Sequence, residues 1–410
     1  MQIDGRKHVR QKEMKKSDQR STLYLYANGV GRAIVATDTV LRGVFGYGDG
    51  AVPPRLVRRF PRAVSLFTLL RDINERTAYM ADWRDAFLRS PRLKVELCNI
   101  NNLVHYARCL ATIRKYDLIV VAHSAAGDDM TILTRTAAAF QLRRGKLVMF
   151  IGNEYDLLDE KIAFMRRVGA EFVCSQLPLA AAQYLYRESP GTCVLEMPHA
   201  LNPAAYFAIP GARHDIDIGF IGDIYWPFVG DRERTDLIEW FERHAGKHGL
   251  RHDIRRERVS REDWNVFLNR CSAIIGAESG TYYLNDRGRL LTRARAYNLF
   301  ENPRASFEDV FDRFYRGTPR EVSGKSISSR HFEPIGAKTC QILLRGTYNG
   351  ILKAGVHYIA VEKDLSNIAD AIAQFRDESL RSRMAAETYE YAMAHHTYAH
   401  RVDRLLTALG

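Results

Sequence analysis

The chain has 410 residues, 46% hydrophobic and 26% charged, which suits a folded protein of two domains and excludes a fibrous or wholly disordered chain. No apolar run reaches membrane-spanning length, and Met1-Gln-Ile-Asp-Gly-Arg-Lys7 lacks the apolar core of a signal peptide. A formal charge of +12 calls for an anionic partner, and with no helix-turn-helix, zinc-finger or RNA-recognition signature that partner is not expected to be nucleic acid.

In chain order, residues 1–20 are rich in Lys and Arg and read as a disordered basic tail. Strand-like runs then follow at Thr22–Ala27, Ala63–Leu70, Leu93–Ile100, Tyr116–Ala122, Lys146–Ile151, Glu171–Ser175 and Thr192–Met197. Between them lie amphipathic helical segments such as Leu103–Lys115, Met130–Arg144, Asp156–Val168 and Leu177–Arg187. This alternation predicts a parallel sheet wrapped by helices over residues 21–198. A Pro/Gly-containing linker, 199–213, precedes a second alternation over 214–396. That unit starts at the strand Ile216–Gly222 and carries a less regular, aromatic insertion at 278–325. Helices at Ile368–Phe375, Glu378–His395 and Tyr398–Leu409 end the chain, the last (397–410) closing back on the first domain. The fold class is α/β: two Rossmann-like, doubly wound domains facing across a cleft, with ligands outside the carboxyl ends of the strands.

The six cysteines are scattered without a close pair and sit in apolar segments. They read as small core residues in a reducing compartment, hence the cytoplasm. Attraction of the basic surface to anionic lipid at the inner face of the membrane is compatible with the charge.

Several segments offer chemistry. Ser328-Ser-Arg-His-Phe-Glu333 feeds a helix whose unpaired first N–H groups and dipole can receive an anion, with Ser328, Ser329, Arg330 and His331 gathered there. A merely well-capped surface helix has the same look. The turn Gly219-Phe-Ile-Gly222-Asp223 ends a strand with small residues that let a phosphate approach, although glycine also ends strands for steric reasons. Asp215-Ile-Asp217 resembles a metal-holding pair but lies at the strand's start, opposite the cleft, so no metal is expected. Glu154 and Asp156, in Gly152-Asn-Glu-Tyr-Asp156, can cap the next helix, orient an acceptor hydroxyl or act as general base. His199, at the domain junction, either makes a structural hydrogen bond or lines the cleft. Glu278 follows another strand end. Val120-Val-Ala-His-Ser124-Ala-Ala-Gly127 approaches the serine turn of an α/β-hydrolase, with alanine at both inner glycine positions.

Together these residues resemble nucleotide-sugar-dependent glycosyltransferases of the GT-B fold, in the "glycosyl transferases group 1"-like set related to spore-maturation glycosyltransferases. The resemblance rests on Phe332-Glu333 with Gly336 and Thr339, on Gly219–Gly222, on His357-Tyr-Ile with Asp364 and Asn367, and on His396–Arg401. It implies that Glu333 accepts hydrogen bonds from the donor's ribose, and that Ser328, Ser329 and Arg330 hold the diphosphate. It implies a metal-independent enzyme without a cofactor, whose donor is a nucleotide-diphosphate sugar and whose acceptor is a glycan or lipid-linked molecule, in surface-polysaccharide or glycoconjugate assembly. The family's first glutamate would fall at Lys325, where a lysine can instead pair with phosphate and Glu278 can substitute. That departure leaves the stereochemical outcome open and keeps a catalytically retired scaffold as the alternative.

Overall fold

A computed structural model describes residues 19–410 except 30, 46–51, 53, 72–77, 128 and 258, so the basic tail lies largely outside the described residues. Six parallel strands build the first sheet: β1 (Arg20–Tyr26), β2 (Leu93–Asn99), β3 (Leu118–Val121), β4 (Lys146–Ile151), β5 (Phe172–Ser175) and β6 (Cys193–Glu196). Their spatial order is β2-β1-β3-β4-β5-β6. Alternate side chains enter two layers: Leu23, Leu25, Ile119 and Val121 on one face, Tyr24, Leu118 and Val120 on the other. Burial on both faces is why these strands read as continuous apolar runs.

One expected strand is absent from that sheet. Residues 63–70 belong to the helix Pro61–Arg71. Proline at its first position is preorganised for a helix start, and none of the segment's described side chains is buried, so it has no sheet face to cover. A short apolar run does not by itself distinguish the two periods.

The second sheet holds β7 (Ile216–Ile221), β8 (His252–Arg255), β9 (Cys271–Gly276), β10 (Cys340–Leu344) and β11 (Ile359–Val361), all parallel, in the order β11-β10-β9-β7-β8. Two apolar layers cover it as well. The insertion folds as helices Arg289–Ala296 and Phe307–Phe314 around a small core of Tyr283, Ala294, Val310 and Tyr315.

Two chain crossings join the domains and pair with each other: Leu201 N–H donates to His396 C=O (2.8 Å) and Tyr398 N–H to Leu201 C=O (3.1 Å). The helix Tyr398–Ala408 packs on the first domain, Tyr398 against Trp83 with ring centroids 5.0 Å apart. Asp82 lies at this junction, accepting from Asn202 Nδ2 (2.7 Å) and pairing with Arg261 (3.0 Å). The insertion ties the domains on another side, through Arg287 to Asp159 and Glu188 and through Arg295 to Asp156.

Candidate active site

In each sheet the strand order reverses direction once, beside the first strand of the unit. Connections there leave to opposite faces and open a crevice at the carboxyl ends. The reversal in the second sheet lies between β7 and β9. A solvent-open recess of about 440 Å³ is lined there by Phe220 and Ile221 of β7, Ile275 and Gly276 of β9, and Arg234, Ser328 and Arg330. The reversal in the first sheet lies between β1 and β3, where Tyr24, Tyr26, Arg84, His123 and Ser124 line a second recess.

The second-domain recess is cationic. Arg234, in the helix Glu233–His244, stacks over Phe220 (5.6 Å) and Tyr225 (5.0 Å) and has no carboxylate partner among the described residues. Arg330 lies over Trp264 at 4.4 Å, and its guanidinium is 3.8 Å from Glu333 Oε2. Trp264 Nε1–H donates to the same oxygen at 2.7 Å, so Oε2 is engaged while Oε1 takes no protein donor among the described residues. The helix Ser329–Gly336 begins at this recess, Ser328 being its N-cap and Ser329 its buried first residue. This gathers Arg234, Ser328, Ser329, Arg330 and Glu333 in one region; of these, Arg234 was not among the expected donor ligands. Its signal in the sequence was an arginine at the start of the helix after β7.

Other expected donor residues turn inward. Ser328 N–H donates to His331 Nδ1 (3.0 Å) and His331 Nε2 contacts Ala277 C=O (3.1 Å), which makes the Nε2-protonated tautomer the one that satisfies both. Burial pushes its pKa down to about 4, so the ring is neutral and ties the helix start to β9 rather than offering charge to an anion. A Cβ at Gly219 would sit 2.4 Å from Cys271 Sγ, so that glycine serves close packing of β7 on β9. Gly222 does reach the recess edge, its added Cβ falling 3.8 Å from Arg234 Nη2, and Asp223 is exposed beyond it. Thr339 precedes β10 and donates to Leu268 C=O (2.8 Å), a strand's length from the cleft end.

Lys325 and Glu278 are also internal. Lys325 Nζ donates to Asp231 Oδ2 (2.5 Å) and to Glu278 C=O (3.2 Å). The Glu278 carboxylate accepts from Tyr348 N–H (2.6 Å) and Thr347 Oγ1 (2.9 Å) and abuts Gly346, where a Cβ would come within 2.4 Å of it. The lysine is thus held in a buried ion pair, not presented to a phosphate, and Glu278 anchors the loop after β10. The Asp215-Ile-Asp217 pair is neutralised by Arg270 (2.6 Å) and Arg251 (2.7 Å) at the far end of β7.

In the first domain, Glu154 is enclosed: Ser175 Oγ donates to it at 2.6 Å and the Tyr186 hydroxyl donates to its other oxygen. Burial pushes its pKa up to about 7. Asp156 is bridged by Arg295 (2.7 and 2.9 Å) and by Asn153 (2.6 Å), which makes it an interdomain clasp. His199 accepts from Trp83 Nε1–H (3.4 Å), faces Gln176 Oε1 (2.9 Å) and is pushed by burial to a pKa of about 3. All three are engaged by protein partners. Ser124 Oγ accepts from Ala27 N–H (3.1 Å) and shares no hydrogen bond with a histidine, so the hydrolase arrangement is not built.

The side chain left over is His123. It follows β3, lines the first-domain recess beside Ser124, and its buried Nδ1 has no hydrogen-bond partner among the described residues. His199 (5.9 Å), Tyr79 (5.4 Å) and Phe150 (5.4 Å) surround its ring, and burial, then His199, hold its pKa well below the ordinary histidine value. An unsatisfied buried ring nitrogen costs free energy and is worth explaining as function.

Two doubly wound domains with a recess at each switch point define the GT-B class of architecture. Residues 235–407, most of the second domain with the closing helix, match the family model described as glycosyl transferase-like, in line with the resemblance to GT-B glycosyltransferases read from the sequence. The solved structures with the same fold include an alpha-glucosyltransferase in complex with UDP and a 13-mer DNA (9% identity, TM-score 0.54, covering 95% of this chain and 99% of that one). HepE from Anabaena in complex with UDP and glucose (12%, TM-score 0.46, 95% and 100%) and sucrose-phosphate synthase from Thermosynechococcus elongatus (11%, TM-score 0.47, 95% and 99%) are further matches. A search of curated protein sequences finds no match.

Proposed function

We propose that the protein is a glycosyltransferase that takes a sugar from a nucleotide-diphosphate donor held in the second-domain recess. The observation that carries this reading is the convergence of Arg234, Arg330 and the first turn of helix Ser329–Gly336 on the β7/β9 switch point. Fixed cations and backbone N–H groups aimed at a diphosphate stabilise the charge that develops as it leaves, which is the main catalytic contribution open to such a site without a metal. Glu333 Oε1 is the acceptor assigned to a ribose hydroxyl, with Trp264 and Arg330 orienting the carboxylate from the other oxygen.

The acceptor belongs to the first-domain recess. His123, neutral and with an Nδ1 unpartnered among the described residues, is the group suited to accept the acceptor hydroxyl's hydrogen bond. A glycan or lipid-linked acceptor in surface-polysaccharide or glycoconjugate assembly agrees with the basic character of the chain. Peripheral membrane contact is supported by the segment from Arg55 to Leu66, where exposed Val57, Phe60 and Leu66 are interspersed with exposed Arg55, Arg58, Arg59 and Arg62.

Calorimetry with UDP, ADP and GDP in buffer free of magnesium and manganese tests the donor site. One diphosphate is expected to bind, with affinity reduced about 10–100-fold by Arg234→Ala or Arg330→Ala, the loss of one charge-assisted contact. Failure of every diphosphate to bind, or binding restored only by magnesium or manganese, overturns the reading. The structural use of Lys325 favours the retired scaffold as second reading, and binding of a diphosphate without transfer to any glycan acceptor would be its signature.

A further inference from the structure

Away from both recesses, the first domain gathers two thiols, an imidazole and a carboxylate. Glu96 and Cys98 are two apart on β2, so they share one face of the sheet. His105 and Cys109 are four apart on the helix Leu103–Ala111, so they share one face of that helix. The helix packs its face onto the strand's. The ligand-capable atoms of Cys98, His105 and Cys109 all lie within 4.8 Å of one another. Glu96 Oε1 is 3.6 Å from Cys109 Sγ and 3.7 Å from His105 Nε2.

Glu96 stands from Cys109 and His105 as neighbouring ligands of a tetrahedral zinc site do. It is not in the mutual 4.8 Å group with Cys98, so closing the site requires its side chain to move toward that thiol. With bonds of about 2.3 Å to sulfur and about 2.0 Å to nitrogen or oxygen, neighbouring ligand atoms stand roughly 3.3–3.8 Å apart. Cys98 and Cys109 are buried, whereas the His105 and Glu96 side chains are 35% and 40% exposed, which leaves an entry path from the imidazole and carboxylate side. Outer partners are also present: Tyr116 OH donates to Glu96 Oε2 (2.7 Å) and Lys115 Nζ is 3.0 Å from the same oxygen. Such partners fix the orientation of a ligating carboxylate. Lys115 also offsets the excess negative charge that two thiolates and a carboxylate leave around a dication.

We propose that Cys98, His105 and Cys109, with Glu96 as the fourth donor, form a zinc site that clasps the edge strand β2 to helix Leu103–Ala111. On binding, both S–H bonds break, the two protons pass to solvent, and His105 coordinates as the neutral imidazole through Nε2. Thiolate and imidazole donors in this geometry select zinc over magnesium or calcium. None of the four residues lines either recess, so this role is independent of donor binding.

The test uses the full chain without a histidine tag, stripped of metal and kept reduced by a phosphine. Zinc is titrated against a chromophoric chelator, and cobalt is substituted to read thiolate charge-transfer and tetrahedral d–d absorption. Expected are one zinc per chain, a cobalt spectrum with thiolate bands, and an affinity lowered more than about a hundredfold in His105→Ala, beyond what loss of an outer partner alone typically costs. His105 is half-exposed, so that variant remains informative if Cys98→Ser or Cys109→Ser fails to fold. Cys193→Ser, which removes the exposed thiol, is expected to leave binding unchanged. Substoichiometric zinc, an affinity lowered by about a hundredfold or less in His105→Ala, loss of binding in Cys193→Ser, or a Cys98–Cys109 disulfide that persists under the phosphine would each overturn the proposal.

Discussion

Lys325 Nζ and Asp231 Oδ2 lie 2.5 Å apart with the lysine 6% and the aspartate 0% exposed at the side chain, one charge from the insertion and one from the loop after β7. Burial opposes the ammonium, yet Tyr225 and Asp231 outweigh it and hold the lysine's pKa above its ordinary value. Removing one partner leaves the other charge buried. Lys325→Met is therefore expected to destabilise the fold by about 3–5 kcal/mol, with most of that recovered in Lys325→Met/Asp231→Asn. Asparagine keeps the acceptor that Asp231 Oδ1 offers to Glu233 N–H (2.9 Å). Urea unfolding measures both. A Lys325→Met protein of unchanged stability but weakened diphosphate binding would return this lysine to the donor site.

The two first-domain histidines should separate by readout. His123→Gln is expected to lower kcat by about tenfold while diphosphate affinity stays at the wild-type value, since one hydrogen bond to the acceptor hydroxyl is worth about that much. His199→Gln should mainly lower stability, because Trp83 and Gln176 lose a shared partner. Steady-state kinetics with calorimetry decides. Equal kcat losses in the two variants, or a loss of diphosphate affinity in His123→Gln, would remove His123 from the acceptor site.

Stability should peak close to neutral pH. His199, His331 and His396 have folded pKa values of about 3, 4 and 4, and His123 is lowered too, burial being the main cause in each. The unfolded chain takes up those protons first, so stability falls as pH drops below about 6.5. Asp82 and Glu154 are raised by burial to about 7, so their contribution is full below their unfolded values and is lost as pH rises through about 7. Each group is worth roughly 1.4 kcal/mol per pH unit in its window, so below about pH 6 four histidines outweigh two carboxyls. Urea melts across pH 5–9 should show a maximum between about 6 and 7, with the alkaline fall flattened in Asp82→Asn/Glu154→Gln. A stability that keeps climbing above pH 8 contradicts this.

The basic apolar segment from Arg55 to Leu66 should bind anionic vesicles. Arg58→Glu/Arg59→Glu/Phe60→Asp is expected to weaken sedimentation with phosphatidylserine-containing vesicles by roughly tenfold or more, at about 1 kcal/mol per basic residue near the surface. Neutral vesicles should bind poorly in either case. Wild-type-like binding by the triple variant would place membrane contact elsewhere or nowhere.

The sequence by itself determined the alternation of strand and helix, the two parallel-sheet units and the start of helix Ser329–Gly336, because each is written in local periodicity or in a cap. Local periodicity misled only where burial decides, as at residues 63–70. The site was less legible. Glu154, Asp156, His199, Lys325 and Glu278 are polar residues near strand ends, and their partners Tyr186, Arg295, Trp83, Asp231 and Tyr348 lie between 32 and 139 positions away. Only the tertiary structure decides whether such a group is satisfied internally or left facing a ligand. The same holds for Arg234, whose lack of an acidic partner is a three-dimensional fact, for His123, whose open Nδ1 depends on the rings packed around it, and for Cys98 and Cys109, whose thiols meet only because a strand and the helix after it pack face to face.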